Sequence, residues 1–230
     1  IFGSNAAGKT NLLEGIYVLS TGESPRAGRT EEMIRFGQEL GRIKGEVKTG
    51  EEVEELEVVL SNGFVGGVRS LKKKYLINGV SKRKRDFRGM VAVASFRPED
   101  MDMLTGSPDH RRNFMDSILC QGDESYDRSL TTYTQGLRRR NKILDAIKEG
   151  LANRYSLTFW DGMLIKHGQI IEDHRRKFVT YINDLWSRSE LFNKLKIEYD
   201  LSQISEERLA SYKDEEVAAG YTLVGPHKDD

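Results

Sequence analysis

Ile1-Phe2-Gly3-Ser4-Asn5-Ala6-Ala7-Gly8-Lys9-Thr10, at the head of the 230-residue sequence, satisfies the phosphate-binding pattern G-x-x-x-x-G-K-[ST] at every constrained position. The spelling has a chemical reason. A loop that wraps a phosphate must bring its backbone close and turn through positive φ, and Gly3 and Gly8 allow both. Its amides then form an anion-binding nest that continues into the N-terminus of the next helix, whose dipole favours negative charge. Gly3, Ser4, Asn5, Ala6, Ala7, Gly8, Lys9, Thr10 and Asn11 are therefore the expected nucleotide-binding residues, an ATP or GTP site. Lys9 would reach the β and γ phosphates. Thr10 would offer its hydroxyl to Mg²⁺, which keeps most of its waters and takes few protein ligands.

The flanking sequence suits that reading. Leu12, Leu13, Ile16 and Leu19 recur at helical spacing behind the loop, as a strand–loop–helix unit requires. Only Ile1 and Phe2 precede it, so the strand that feeds the loop is expected upstream of this sequence. With 36 basic and 36 acidic side chains, 31% charged and 37% hydrophobic residues, the composition points to a soluble, cytoplasmic, rather helical protein. No global charge excess points to nucleic acid, so such a partner would have to be met by a local patch. The one cysteine, Cys120, forms no internal disulfide and reads as a small apolar residue on a helix. The longest apolar run, Met90 to Ala94, is too short for a bilayer, and no membrane association is expected.

Turn formers fill Ser20 to Thr30, leaving Arg26 and Arg29 either on nucleotide or DNA or in solvent. Thr30, Glu31 and Glu32 start a short helix that ends before Gly37. From Gly41 to Leu60, alternation predicts a hairpin with its turn at Thr49-Gly50, and six acids between Glu46 and Glu57 supply its solvated face. Asn78-Gly79 then marks a second hairpin, since a type I′ turn needs φ > 0 at both central residues. Between Arg69 and Arg88 stand nine basic residues and one acid, Asp86. This ribbon, with Lys72, Lys73, Lys74, Lys82, Arg83, Lys84 and Arg85 at its centre, is the expected DNA-backbone surface, against the alternative of an ordinary solvated hairpin.

Met90 to Phe96 reads as a buried strand, apolar on both faces. Pro98, Glu99 and Asp100 look like the first turn of a helix; either acid is also a candidate for holding Mg²⁺ or water near a γ phosphate. Ser107 as N-cap and Pro108 at the first helical position open a helical region reaching about Lys194. Leu130, Tyr133, Leu137, Leu144 and Ile147 keep helical periodicity; so do Phe159, Met163, Leu164, Ile170, Ile171, Phe178, Ile182 and Leu185, with a break at Gly150 to Asn153. Arg138, Arg139, Arg140 and Lys142 cluster on the first of these helices and Arg111-Arg112 open the region; both groups read as a solvated helix surface by default, with DNA contact the alternative and Arg138 to Arg140 the candidate residues. Tyr221 to Asp230 reads as a short strand and a polar turn.

An ATPase also needs a second acidic element, typically four apolar residues and an Asp, to hold Mg²⁺ and orient water. Val91 to Ala94 is followed by Ser95 instead, so the chain alone is expected to bind nucleotide weakly and hydrolyse it poorly; no catalytic residue is assigned. Taken together, Phe2 to Ile16, Ile34-Arg35-Phe36-Gly37, Ile77-Asn78-Gly79, Phe96 to Met101, Gly106-Ser107-Pro108, Arg111 to Asp116, Leu137 to Asn141, Trp160-Asp161 and Gly225 to Asp230 resemble the RecF family of bacterial recombination mediators. These are relatives of the SMC ATPases. The resemblance runs the whole length in the family's order. It departs at Ala7, commonly Gln, and at Lys228, commonly Arg, and it lacks the strands before the loop and the signature and Walker B motifs after Gly225-Pro226-His227.

What the resemblance implies is an α/β fold: a P-loop NTPase head of ABC type, a mixed sheet with helices, carrying an inserted helical arm. Residues 1–107 and 218–230 would form the partial head and 108–217 the arm. It further implies ATP and Mg²⁺ as cofactors and DNA as partner, at gaps or junctions of single and double strand, with RecR and RecO as companions in gap repair and the SOS response. An ATP-dependent homodimer would grip the DNA. A P-loop kinase or GTPase would instead need an acceptor site or an Asn/Thr-Lys-x-Asp motif, which this sequence lacks. A purely structural SMC-like head would need long heptads, whereas the helical part here is interrupted near Gly150.

Overall fold

The computed structural model describes residues 1–230, which divide into two compact units, Ile1–Arg97 and Pro98–Asp230. In the first, α1 (Lys9–Thr21) packs on a sheet built from β1 (Leu40–Thr49), β2 (Glu52–Ser61), β5 (Lys73–Ile77) and β6 (Val80–Lys82), after a small side hairpin of β3 (Phe64–Val65) and β4 (Val68–Arg69). Spatial order is β1-β2-β5-β6, antiparallel throughout. The short α2 (Lys84–Phe87) follows.

Period-two alternation decides which face is inside. Ile43 opposes Val58, which opposes Tyr75, and Leu56 opposes Ile77. These side chains and Leu60 meet Val18 of α1, Ile34 and Phe87 in one core, each fully buried aliphatic adding about 2 kcal/mol. Helix and sheet come close because Gly45 has no side chain: a Cβ there would lie 2.8 Å from Leu19 Cδ1. Asn78 and Gly79 have φ of 51° and 75°, as the sequence demanded, and Asn78 Oδ1 accepts the Glu55 amide at 2.8 Å, tying the β5–β6 turn to β2. The acidic hairpin is solvated as expected; Lys44 bonds Glu55 at 2.6 Å and Arg42 bonds Glu57 at 3.0 Å.

The second unit is helical. A 3-10 turn, Pro98–Met101, leads into α3 (Asp102–Thr105), α4 (Pro108–Gly122) and α5 (Glu124–Lys148); a further turn, Arg154–Leu157, precedes α6 (Thr158–Ser187), which carries Trp160 and Trp186. Then come α7 (Glu206–Ser211) and α8 (Lys213–Ala219). Asp123 starts α5 by accepting the Tyr126 amide at 3.0 Å, so the helical region breaks there as well as at the expected 150–153. Tyr126, Tyr133, Leu164, Ile171, Ile204, Leu209 and Val224 form its core. Residues 218–230, which the sequence reading attaches to the head, lie within this unit.

Two expected strands are absent. Met90–Phe96 is irregular, with Ala92 and Phe96 exposed, and Tyr221–Val224 is irregular as well. A strand exists only where a neighbour completes its ladder. The four-stranded sheet ends at β1 and β6 and gives neither segment a partner. What holds the first is a side chain instead: Ser20 Oγ donates to Val91 O at 2.6 Å.

Candidate nucleotide-binding site

Gly8 caps α1 at φ 84°, inside the left-handed region, and Ala6 also has positive φ, 65°. These two reversals curl the loop. Ala7 N–H donates to Ser4 O at 3.3 Å and the helical ladder begins with Leu12 N–H to Gly8 O at 3.0 Å. No side chain caps the helix, and the amides of Lys9, Thr10 and Asn11 precede its first internal bond. The donor set fits a phosphate chain. Lys9 turns back over the loop and donates to Gly3 O and Ser4 O, both at 2.7 Å, so its ammonium is held at the mouth of the turn rather than extended into solvent. Thr10, the sequence's candidate Mg²⁺ ligand, is exposed beside it, and no group of three or more His, Cys, Asp or Glu side chains is placed to hold a metal ion.

Behind the loop, Leu12, Leu13 and Ile16 are 55%, 58% and 42% exposed, while the opposite side of α1 buries Val18. Glu14 accepts from Ser24 Oγ and, at 3.4 Å, from Arg26, so Arg26 leans on α1. Arg29 and Lys72 line one recess of about 420 Å³ with Gly28, Thr30 and Glu31, and Lys72 bonds Glu31 within it. Glu99 and Asp100 sit in the Pro98–Met101 turn of the other unit.

The basic ribbon divides in two. Lys74 and Lys82 are exposed, and Arg83 pairs with Asp86 at 2.8 Å, to which Arg85 also reaches. Lys73, Lys84 and Arg88 turn the other way, onto the C-terminal end of α1. Lys73 donates to Gly22 O at 3.0 Å and to Glu23; Lys84 donates to Glu23 at 2.5 Å; Arg88 donates to Thr21 O at 3.3 Å. Cations are favoured there because the last carbonyls of a helix carry its negative dipole end. Burial works against the charge of Glu23, but the bonds from Lys73 and Lys84 outweigh it and hold its pKa below the ordinary carboxylate value. Burial, assisted by the charges of Arg88 and Lys73, depresses Lys84 despite its bond to Glu23.

Arg138 and Arg139 are exposed on α5, whereas Arg140 is 1% exposed and is withdrawn from any DNA-facing surface. It bonds Asp161 at 2.7 Å, Glu216 at 2.7 Å and Thr222 Oγ1 at 2.8 Å. Two carboxylates distant in sequence neutralise it and a hydroxyl takes a further bond, and no local pattern announces them. Arg111 and Arg112 are likewise internal fasteners, on Asp230 and on the Asp229 carbonyl. Sequence reading also missed Arg175, which grips Asp116 at 2.8 and 3.0 Å, Pro226 O at 2.7 Å and Asp229 at 3.1 Å. His227 Nε2 reaches Thr222 O at 3.2 Å and Tyr133 OH reaches Nδ1 at 2.8 Å, an arrangement suited to the neutral ring.

No family model matches the chain. Among curated relatives, the DNA replication and repair protein RecF of Thermomicrobium roseum is 31% identical over 268 residues, covering 100% of this chain and 67% of its own length. The chain belongs to the RecF family. The RecF proteins of Lachnospira eligens and Bacillus cereus are 32% and 34% identical, again over 100% of this chain but 64% of theirs, so the chain spans about two thirds of RecF. A solved structure described as the recombination mediator protein RecF-ATP in the RecFOR pathway superposes with a TM-score of 0.86 at 26% identity, covering 100% of this chain and 64% of that one. A RecF-ATPrS structure gives the same score.

Proposed function

We propose that the chain is the nucleotide-loop portion of an ATP-dependent DNA-binding protein of recombinational gap repair. The observation that carries this is the curled Gly3–Gly8 loop, with Lys9 folded over it and the uncapped amide end of α1 beneath. ATP would lie with its phosphates on the amides of residues 3–11, Lys9 leaving the Gly3 and Ser4 carbonyls for the β and γ oxygens, and Thr10 completing the Mg²⁺ shell. Bound Mg²⁺ would supply charge neutralisation to the phosphates. DNA would run along Lys72, Lys74, Lys82, Arg83 and Arg85, with Arg138 and Arg139 as a second contact. The whole protein would act as an ATP-dependent homodimer in the cytoplasm, beside RecR- and RecO-type partners at gaps, and hydrolyse ATP slowly. Membership of the RecF family and the likeness to an ATP-bound RecF support this reading.

Lys9→Ala tests it. Retention of DNA that depends on ATP should be lost in the full-length protein while the far-ultraviolet circular dichroism stays that of the parent. Retention equal to the parent's would reject a nucleotide-driven grip.

A further inference from the structure

The cations nearest α1 already hold an anion. Glu23 follows the C-cap Gly22 by one residue, and its two carboxylate oxygens take Lys73 and Lys84 separately. This is the arrangement two non-bridging phosphate oxygens would present to two ammonium groups. The carboxylate is reachable: Glu23 is 52% and Lys84 35% exposed, so the site opens to solvent on the Lys84 side, while Lys73 at 16% forms its floor. Its Lys73 side is fixed independently of Glu23. Lys73 is also anchored on Gly22 O, Tyr75 OH lies 3.4 Å from that carbonyl, and Arg88 holds Thr21 O. Without Glu23, two or three positive groups would remain at one spot, on the same Arg69–Arg88 ribbon that offers Lys74 and Lys82 to the outside.

We infer that Lys73 and Lys84 form a phosphodiester site of the DNA surface, and that the Glu23 carboxylate occupies it as an internal stand-in, so that a DNA phosphate must displace Glu23 to enter. This rests on the proposal that the ribbon meets DNA. The shift fits a site that calls for an anion: burial, with the charges of Arg88 and Lys73, depresses Lys84, and the negative group beside it opposes that fall.

The test uses a fluorescein-labelled DNA duplex and the full chain, with affinity measured across a salt series. Glu23→Gln keeps a polar group of the same shape but frees both cations. Each phosphate newly neutralised adds a factor of roughly [salt] to the power −0.9, so binding should tighten about five- to tenfold at 0.1 M salt, with a slope steeper by about one. Glu46→Gln, the same charge change on the β1–β2 hairpin, should alter affinity far less. The decisive arm is a double-variant cycle: in a Lys84→Met background the gain from Glu23→Gln should shrink to under about twofold, because the pair acts as a unit. Equal gains with and without Lys84, or no gain at all, would overturn the inference. If the parent, every variant and the Lys84→Met protein all fail to bind duplex, the ribbon is not a DNA surface, and the wider proposal falls with it.

Discussion

Glu172 and His227, both shifted by burial in the helical unit, titrate in opposite senses. Burial pushes Glu172 up to about 7, against the Ile204 amide it accepts at 2.7 Å and with the charge of Asp229 adding to the rise. Burial pushes His227 down to about 4. The folded chain thus keeps the Glu172 proton from 4.5, the unfolded value, to about 7, and raising pH through that window costs stability. For His227 the folded chain sheds its proton first, so raising pH from about 4 to 6.5 restores stability. The two slopes offset each other. Glu172→Gln keeps an acceptor for Ile204 and removes one slope, so stability should climb by up to about 1.4 kcal/mol per pH unit between pH 4.5 and 6.5, and the variant should outlast the parent above pH 7. Urea midpoints at several pH values would show this; curves parallel to the parent's would refute it.

At the scale of elements, the Asn78-Gly79 turn is both the most legible feature of the sequence and a structural fastener. Positive φ at both residues made it readable, because few residue pairs tolerate it. Its second role was not readable: Asn78 Oδ1 takes the amide of Glu55, a residue on another strand. Asn78→Ala should therefore lose about 2 kcal/mol, combining a left-handed alanine with a lost hydrogen bond, while Asn78→Gly should lose only the hydrogen-bond part. Chemical unfolding followed by circular dichroism separates them. The phosphate loop and its helix were equally plain, since glycine spacing and a helical stripe are local. Met90–Phe96 was not, because being a strand is a relation to a neighbour that composition does not record.

For the whole molecule, the sequence conveyed where helices replace strands but not what fastens each unit. A charge run reads as surface, and Arg140 shows why that rule fails: its partners Asp161, Thr222 and Glu216 come from far along the chain. Arg140→Ala would strand Glu216, which is fully buried, and should destabilise the second unit by about 3–5 kcal/mol, read as a lowered midpoint of helical unfolding. A midpoint within error of the parent's would show that the ion cluster is dispensable. Both tryptophans, Trp160 and Trp186, ride on α6, and the unit that carries the nucleotide loop has none. Indole emission is accordingly a private channel of the helical unit. Any wavelength shift seen on adding nucleotide to the loop would be a message received across the chain, free of signal from the sender.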